Sequence, residues 1–155
     1  MLKKKITIFL FLFLSSCGYE AMYSIGNIIN YDFSISQLTF TGERDVNIKI
    51  KTKLNKYTLD KKAKNFILEI SSIAEKIIIA KDIAGDPTNF KSVIKIDARV
   101  TLKNNFVKKL EVVEEFTYDN IDNKIDLKKY ERQIKINLAE TATNKLIFKL
   151  SNIQW

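Results

Sequence analysis

Phe90-Lys91-Ser92-Val93-Ile94-Lys95-Ile96-Asp97-Ala98-Arg99-Val100-Thr101-Leu102 is the stretch that decides the fold of this chain. Val93, Lys95, Asp97, Arg99 and Thr101 alternate with Ile94, Ile96, Ala98, Val100 and Leu102, so an extended backbone turns one face to water and the other to a core. Apolar segments of similar length flank it, Phe66 to Ala84 before and Phe106 to Tyr118 after. Gly85-Asp86-Pro87-Thr88-Asn89 and Lys103-Asn104-Asn105 supply turn residues between them, which predicts an antiparallel meander of three strands. Pro87 in such a turn removes no ladder hydrogen bond.

Beyond the turn-like stretch Asp119 to Asn123 the period changes. Tyr130, Ile134, Leu138, Ala142, Leu146 and Leu150 recur at every fourth position with Leu127 one turn earlier, and neither Gly nor Pro interrupts them. This predicts a long amphipathic helix whose stripe covers the sheet, with Asp126 as its cap and Lys145 and Lys149 in its last turns, where the helix dipole favours cations. Upstream, Phe33 to Phe40 followed by Gly42 reads as the first strand and a turn. The segment Glu43 to Tyr57 stays open. Val46, Ile48, Ile50, Thr52 and Leu54 alternate as in a strand, yet Val46, Ile50, Leu54 and Tyr57 also fit one helix face, with Thr41 placed to cap it.

At 155 residues, with 46% hydrophobic and 28% charged, the chain is the size of one ordinary domain and apolar enough to bury a core. The absence of histidine removes the commonest general base and metal ligand. Ser92-Val93-Ile94-Lys95 matches a serine–lysine dyad by spacing, but that chemistry needs both side chains on one helical site and this segment reads as a strand. Glu114-Glu115 are strand neighbours that face opposite ways, and Asp119 with Asp122 reads as a solvated strand end. No phosphate loop, dinucleotide fingerprint or zinc spacing is present in the sequence, so a non-enzymatic protein with no cofactor and no metal site is expected.

The N-terminus carries Lys3, Lys4 and Lys5 before the apolar run Ile6 to Leu14, too short to span a bilayer and flanked as a secretory signal is. Leu14-Ser15-Ser16-Cys17-Gly18 resembles the lipobox of bacterial lipoproteins, in which the cysteine becomes the lipidated first mature residue. Gly18 stands where an aspartate would resemble the inner-membrane retention signal, so the resemblance points to the outer membrane. The division expected is a signal peptide over 1–16, a lipidated tether over 17–30 and one α+β domain over 31–155. Three lysines leave with the signal, taking the formal charge from +8 to +5. That suits an anionic partner or membrane surface, and export makes nucleic acid an unsuitable one.

Cys17-Gly18-Tyr19, the strand pair Phe90 to Tyr118 entering Tyr-Asp-Asn, and the helix ending Leu146-Ile147-Phe148-Lys149-Leu150-Ser151-Asn152-Ile153 together resemble the lipopolysaccharide-assembly lipoprotein LptE family. The resemblance implies a two-layer α+β sandwich, two helices on one face of a four-stranded, mainly antiparallel sheet, and so a helix over the ambiguous segment. It also implies a plug that helps assemble the LptD-type outer-membrane β-barrel and binds lipopolysaccharide. Charge and position nominate Lys124, Lys128 and Lys129 by the loop before the last helix, and Lys91 by the opposite turn, as contacts for its anionic headgroup. The competing expectation is a stand-alone periplasm-facing lipoprotein that binds lipid or tethers another complex.

Overall fold

The computed structural model describes residues 31–59, 61–102 and 106–154. The expected signal peptide, the expected tether with Cys17 and residues 103–105 lie outside the described residues. The elements run β1 (Ser34–Gly42), α1 (Arg44–Leu54), a single 3₁₀ turn (Asn55–Tyr57), β2 (Asn65–Lys81), β3 (Pro87–Leu102), β4 (Val107–Asp119) and α2 (Lys124–Ser151). They form an α+β fold with a four-stranded sheet in the order β1-β2-β3-β4. β2, β3 and β4 make the antiparallel meander read from the sequence, whereas β1 pairs with β2 in parallel. A parallel neighbour requires a crossover, and the connection through α1 supplies it.

Register sorts the side chains. Phe66, Leu68, Ile70 and Ser72 of β2 stand opposite Leu102, Val100, Ala98 and Ile96 of β3. Nearly all are buried, so this face carries the core. Both helices contribute to it: Val46, Ile50 and Leu54 of α1 and Ala139, Ala142, Leu146, Ile147 and Leu150 of α2 belong to one apolar cluster with these strand residues. The other sheet face is open. It alternates Ile67, Ile73, Ile77 and Val113 with Lys95, Asp97, Arg99 and Glu111, and cross-strand ion pairs lace it, Lys95 to Glu111 at 3.6 Å and Arg99 to Glu69 at 3.8 Å.

The segment Glu43 to Tyr57 is helix and a 3₁₀ turn, not strand, despite its alternation. The helix buries Val46, Ile50, Leu54 and, one turn on, Tyr57, and leaves Ile48 and Thr52 of the alternating set exposed. Asp45 in its first turn and Lys51 and Lys53 in its last complement the dipole. Thr41 does not cap it. β1 runs on through Thr41 and Gly42, and Glu43 takes the cap position without a side-chain hydrogen bond. Gly42 makes the sharp exit possible: it has φ of +90°, and a Cβ there would lie 1.9 Å from the carbonyl oxygen of Ser72.

Two further expectations are corrected at α2. Asn123, not Asp126, is its cap, accepting hydrogen bonds from the backbone N–H of Ile125 and Asp126. The every-fourth-residue stripe also fails to stay on one face, because a step of four residues advances about 400°, a drift of about 40° each time. Tyr130 is 41% exposed and Leu138 half-buried, while Ile134, Ala142, Leu146 and Leu150 are buried. Ala139, Thr143 and Ile147 complete the contact with steps of three and four. The hairpin turn is displaced too: it occupies 82–86, with Gly85 at φ of +91°, and Pro87 already pairs with Lys81.

Candidate functional site

The nominated lysines gather at the end of the domain where the β2–β3 hairpin, the close of β4 and the start of α2 meet, but they do not form one site. Phe90 and Tyr118 face α2, where they pack with Ile134. Lys91, next to Phe90, therefore projects from the open face, where its ammonium lies 3.2 Å from Glu115. Lys124, Lys128 and Lys129 are exposed on the first turns of α2, on the other side of the sheet. Lys129 lies 3.8 Å from Asp126.

Lys128 lines a cleft between the start of α1, the strands and α2, together with Arg132, Lys135, Lys76, Glu43, Asp45 and Glu131. Lys128, Arg132 and Lys135 follow at spacings of four and three, so the basic row was readable once the helix was drawn. Lys76 comes from β2 and had no signal in the local sequence. Two of these four cations, Lys135 and Lys76, are held in ion pairs. Lys135 donates to Glu43 at 3.0 Å and Asp45 at 3.1 Å. The hydrogen bond from Lys135 and its charge hold the Asp45 carboxyl below its usual range, and hydrogen bonding to Glu43 and Asp45 raises Lys135 against the opposing effect of burial. Lys76 reaches Glu131 at 2.5 Å and sits 3.7 Å over the Phe90 ring. Tyr118 donates to the same carboxylate at 3.0 Å, and burial together with that acceptor pushes its phenol pKa up.

The cleft is a neutralised ion network. Ser92 faces it while Lys95 projects from the opposite face of β3, so the serine–lysine spacing assembles no dyad. Glu114 turns inward to Lys145 at 2.5 Å and Glu115 outward to Lys91. Among the described residues no group of three or more Asp, Glu, His or Cys is placed to hold a metal ion.

What the same end does expose is apolar. Ile77, Ile78 and Ile79 at the end of β2 are each 41–47% exposed, Ile83 in the turn is fully so, and Phe116 of β4, across β3 from them, is 45% exposed. Because consecutive strand residues alternate faces, Ile77, Ile78 and Ile79 present aliphatic surface on both sides of the ribbon. The sequence carried this signal as the run Ile77-Ile78-Ile79, read there only as strand.

Solved structures with the same architecture cover nearly the whole described domain. The rare lipoprotein B of Shewanella oneidensis superposes with a TM-score of 0.60 at 9% identity, over 74% of this chain and 93% of that one. The fold is that of rare lipoprotein B, itself a protein of the LptE family. Lipoprotein B of Nitrosomonas europaea matches with a TM-score of 0.57 at 17% identity, over 77% and 83% of the two chains. A minor lipoprotein of Acinetobacter baumannii gives 0.57 at 8%, over 77% and 92%. No family model and no curated protein matches the sequence. The fold expected from the LptE resemblance, two helices against a four-stranded sheet, is thus the fold found.

Proposed function

We propose that this chain is a non-enzymatic outer-membrane lipoprotein, anchored through Cys17 and facing the periplasm, that plugs and helps assemble an LptD-type β-barrel and binds lipopolysaccharide during its delivery to the surface. The observation that carries the reading is a coincidence of two independent features. A lipobox-like cysteine precedes the domain, and that domain has the rare lipoprotein B fold over almost its full length. The hairpin end is the surface offered to the barrel. Exposed aliphatic side chains on both faces of a ribbon suit a surrounding partner, and a water-facing function gives no reason to keep them. Lys124, Lys128 and Lys129, beside that end, are the contacts proposed for the anionic headgroup, with Arg132, which lines the same cleft as Lys128, as a further candidate and Lys91 on the opposite sheet face.

Extraction of the full lipoprotein in mild detergent tests this. Co-elution with one large β-barrel, and loss of the N-terminal lipid mass in Cys17→Ala, are the expected results. A lipidated protein that elutes alone overturns the barrel reading and leaves the stand-alone lipoprotein.

A further inference from the structure

The two edges of the sheet are built differently. β4, at one edge, is charged at six of its thirteen residues, and it turns Glu114 inward to meet Lys145. Charges along an edge, and above all an inward-pointing one, block pairing with a further strand. β1, at the other edge, has no charged residue among its nine. A bulge between Ile35 and Gln37 shortens its regular part to Gln37–Gly42, which is still an ordinary strand length. Every second residue of such a strand directs its N–H and C=O outward, and among the described residues no strand pairs there.

A groove runs beside that edge, between β1 and α1. Phe40, Gly42 and the half-exposed Ile48 line it, and Arg44 and Lys51 flank it. Gln37, Thr39 and Thr41 on the open-face side are uncharged hydrogen-bonding groups.

We propose that the outer edge of β1 is a strand-addition site for an extended segment of another protein, one with an apolar side chain over Phe40 and Ile48 and acidic residues beside Arg44 and Lys51. Main-chain hydrogen bonds along Gln37–Gly42 supply the affinity and the groove the specificity. The two cations set the charge preference, since complementary charge favours an acidic strand over a basic one. This site is on a different edge from the hairpin end and does not depend on the barrel reading.

The test uses the full lipoprotein in detergent micelles and a fluorescein-labelled cyclic β-hairpin peptide whose free strand reads Thr-Ile-Thr-Val-Thr-Leu-Asp-Glu. A control peptide carries prolines at alternate positions of that strand, which removes its ladder donors. The expected result is saturable binding, slowed amide exchange in the peptide covering residues 34–42, and no change over 107–119. Arg44→Glu with Lys51→Glu, both at exposed positions, weakens binding at least tenfold, and Ile48→Asp also weakens it. The proposal is overturned by unchanged exchange over 34–42, by equal binding of the proline control, or by indifference to the charge reversal. Concentration-dependent dimers that protect 34–42 without peptide also overturn it, assigning the edge to a second copy of this chain.

Discussion

The two ends of the domain differ in how much of their apolar surface is packed, although both expose some, Leu59, Phe106, Val107 and Phe148 at the first and Ile77, Ile78, Ile79 and Ile83 at the second. At the end where the described chain begins, Phe33 stacks on Tyr57 with ring centroids 4.4 Å apart and packs against Phe66 at 5.6 Å. Leu102, Leu150 and Ile153 belong to the same buried cluster. Two lysines from the turn before β2 fasten this end. Lys62 donates to the carbonyl of Tyr31 at 3.1 Å, and Lys64 donates to the carbonyl of Ile153, just past the end of α2, at 3.2 Å. The hairpin end lies about 50 Å away, taking roughly 3.3 Å per residue along β2. There, among the described residues, Phe90, Tyr118 and Ile134 make a small buried cluster, and four isoleucines stay in the open. One end stabilises the domain. The other has a smaller core and a continuous isoleucine run left in the open, the surface that the proposed barrel contact would use.

The sharpest way to break this contrast is to truncate at each end. Phe66→Ala is expected to cost about 3–5 kcal/mol in chemical denaturation, because the ring is fully buried, whereas Ile83→Ser should stay within about 0.5 kcal/mol. Similar losses at both would remove the division. Next in size is Tyr118→Phe, which leaves the ring in place and deletes only the hydrogen bond to Glu131. A loss of about 1–2 kcal/mol is expected, and no loss would mean that the small far-end cluster holds by packing alone. Asn123→Ala removes the cap that starts α2 at the same end and should cost about 1 kcal/mol, read as a lower melting temperature.

The smallest effect concerns Lys135, which joins the two helices through Glu43 and Asp45. Asp45 is held below its ordinary value of 3.8, so its contribution is present above that pH and is lost as the pH falls through the lower folded value. Lys135 is raised above 10.5, so its contribution is present below that pH and is lost as the pH rises past the higher folded value. Thermal melting of the parent and Lys135→Gln should therefore differ by a constant amount between about pH 5 and 9, and the difference should narrow progressively as the pH falls below about 4. A gap that persists at pH 2 would assign the lysine's role to packing of its stem.

The meander and the long helix were legible because their periods are unbroken over many residues. What misled was local. In 43–57 a period of two and a helical face coexist in the same residues, and the choice is made by α2, a partner far away in sequence. The LptE resemblance selected the helix that the alternation argued against. Along α2 the every-fourth row was correct at Ile134, Ala142, Leu146 and Leu150, but it overlooked Ala139, Thr143 and Ile147, which compensate for the drift. Asn123 was missed as the cap because the helix was started too late. At the candidate site, charge and position nominated lysines that the fold brings to one end of the domain, but the side of the sheet taken by Lys91, and the acidic partners of Lys76 and Lys135, follow from tertiary structure.

The most direct test places a photoreactive residue at Ile83 in one version of the full lipoprotein and at Lys62 in another, each expressed in cells with an LptD-type barrel. Irradiation of the Ile83 version is expected to yield a covalent adduct with the barrel, and replacing Ile77, Ile78 and Ile79 by serine in the same chain should reduce its yield. An adduct formed from Lys62 alone, or from neither position, would contradict the assignment of the hairpin end as the surface that meets the barrel.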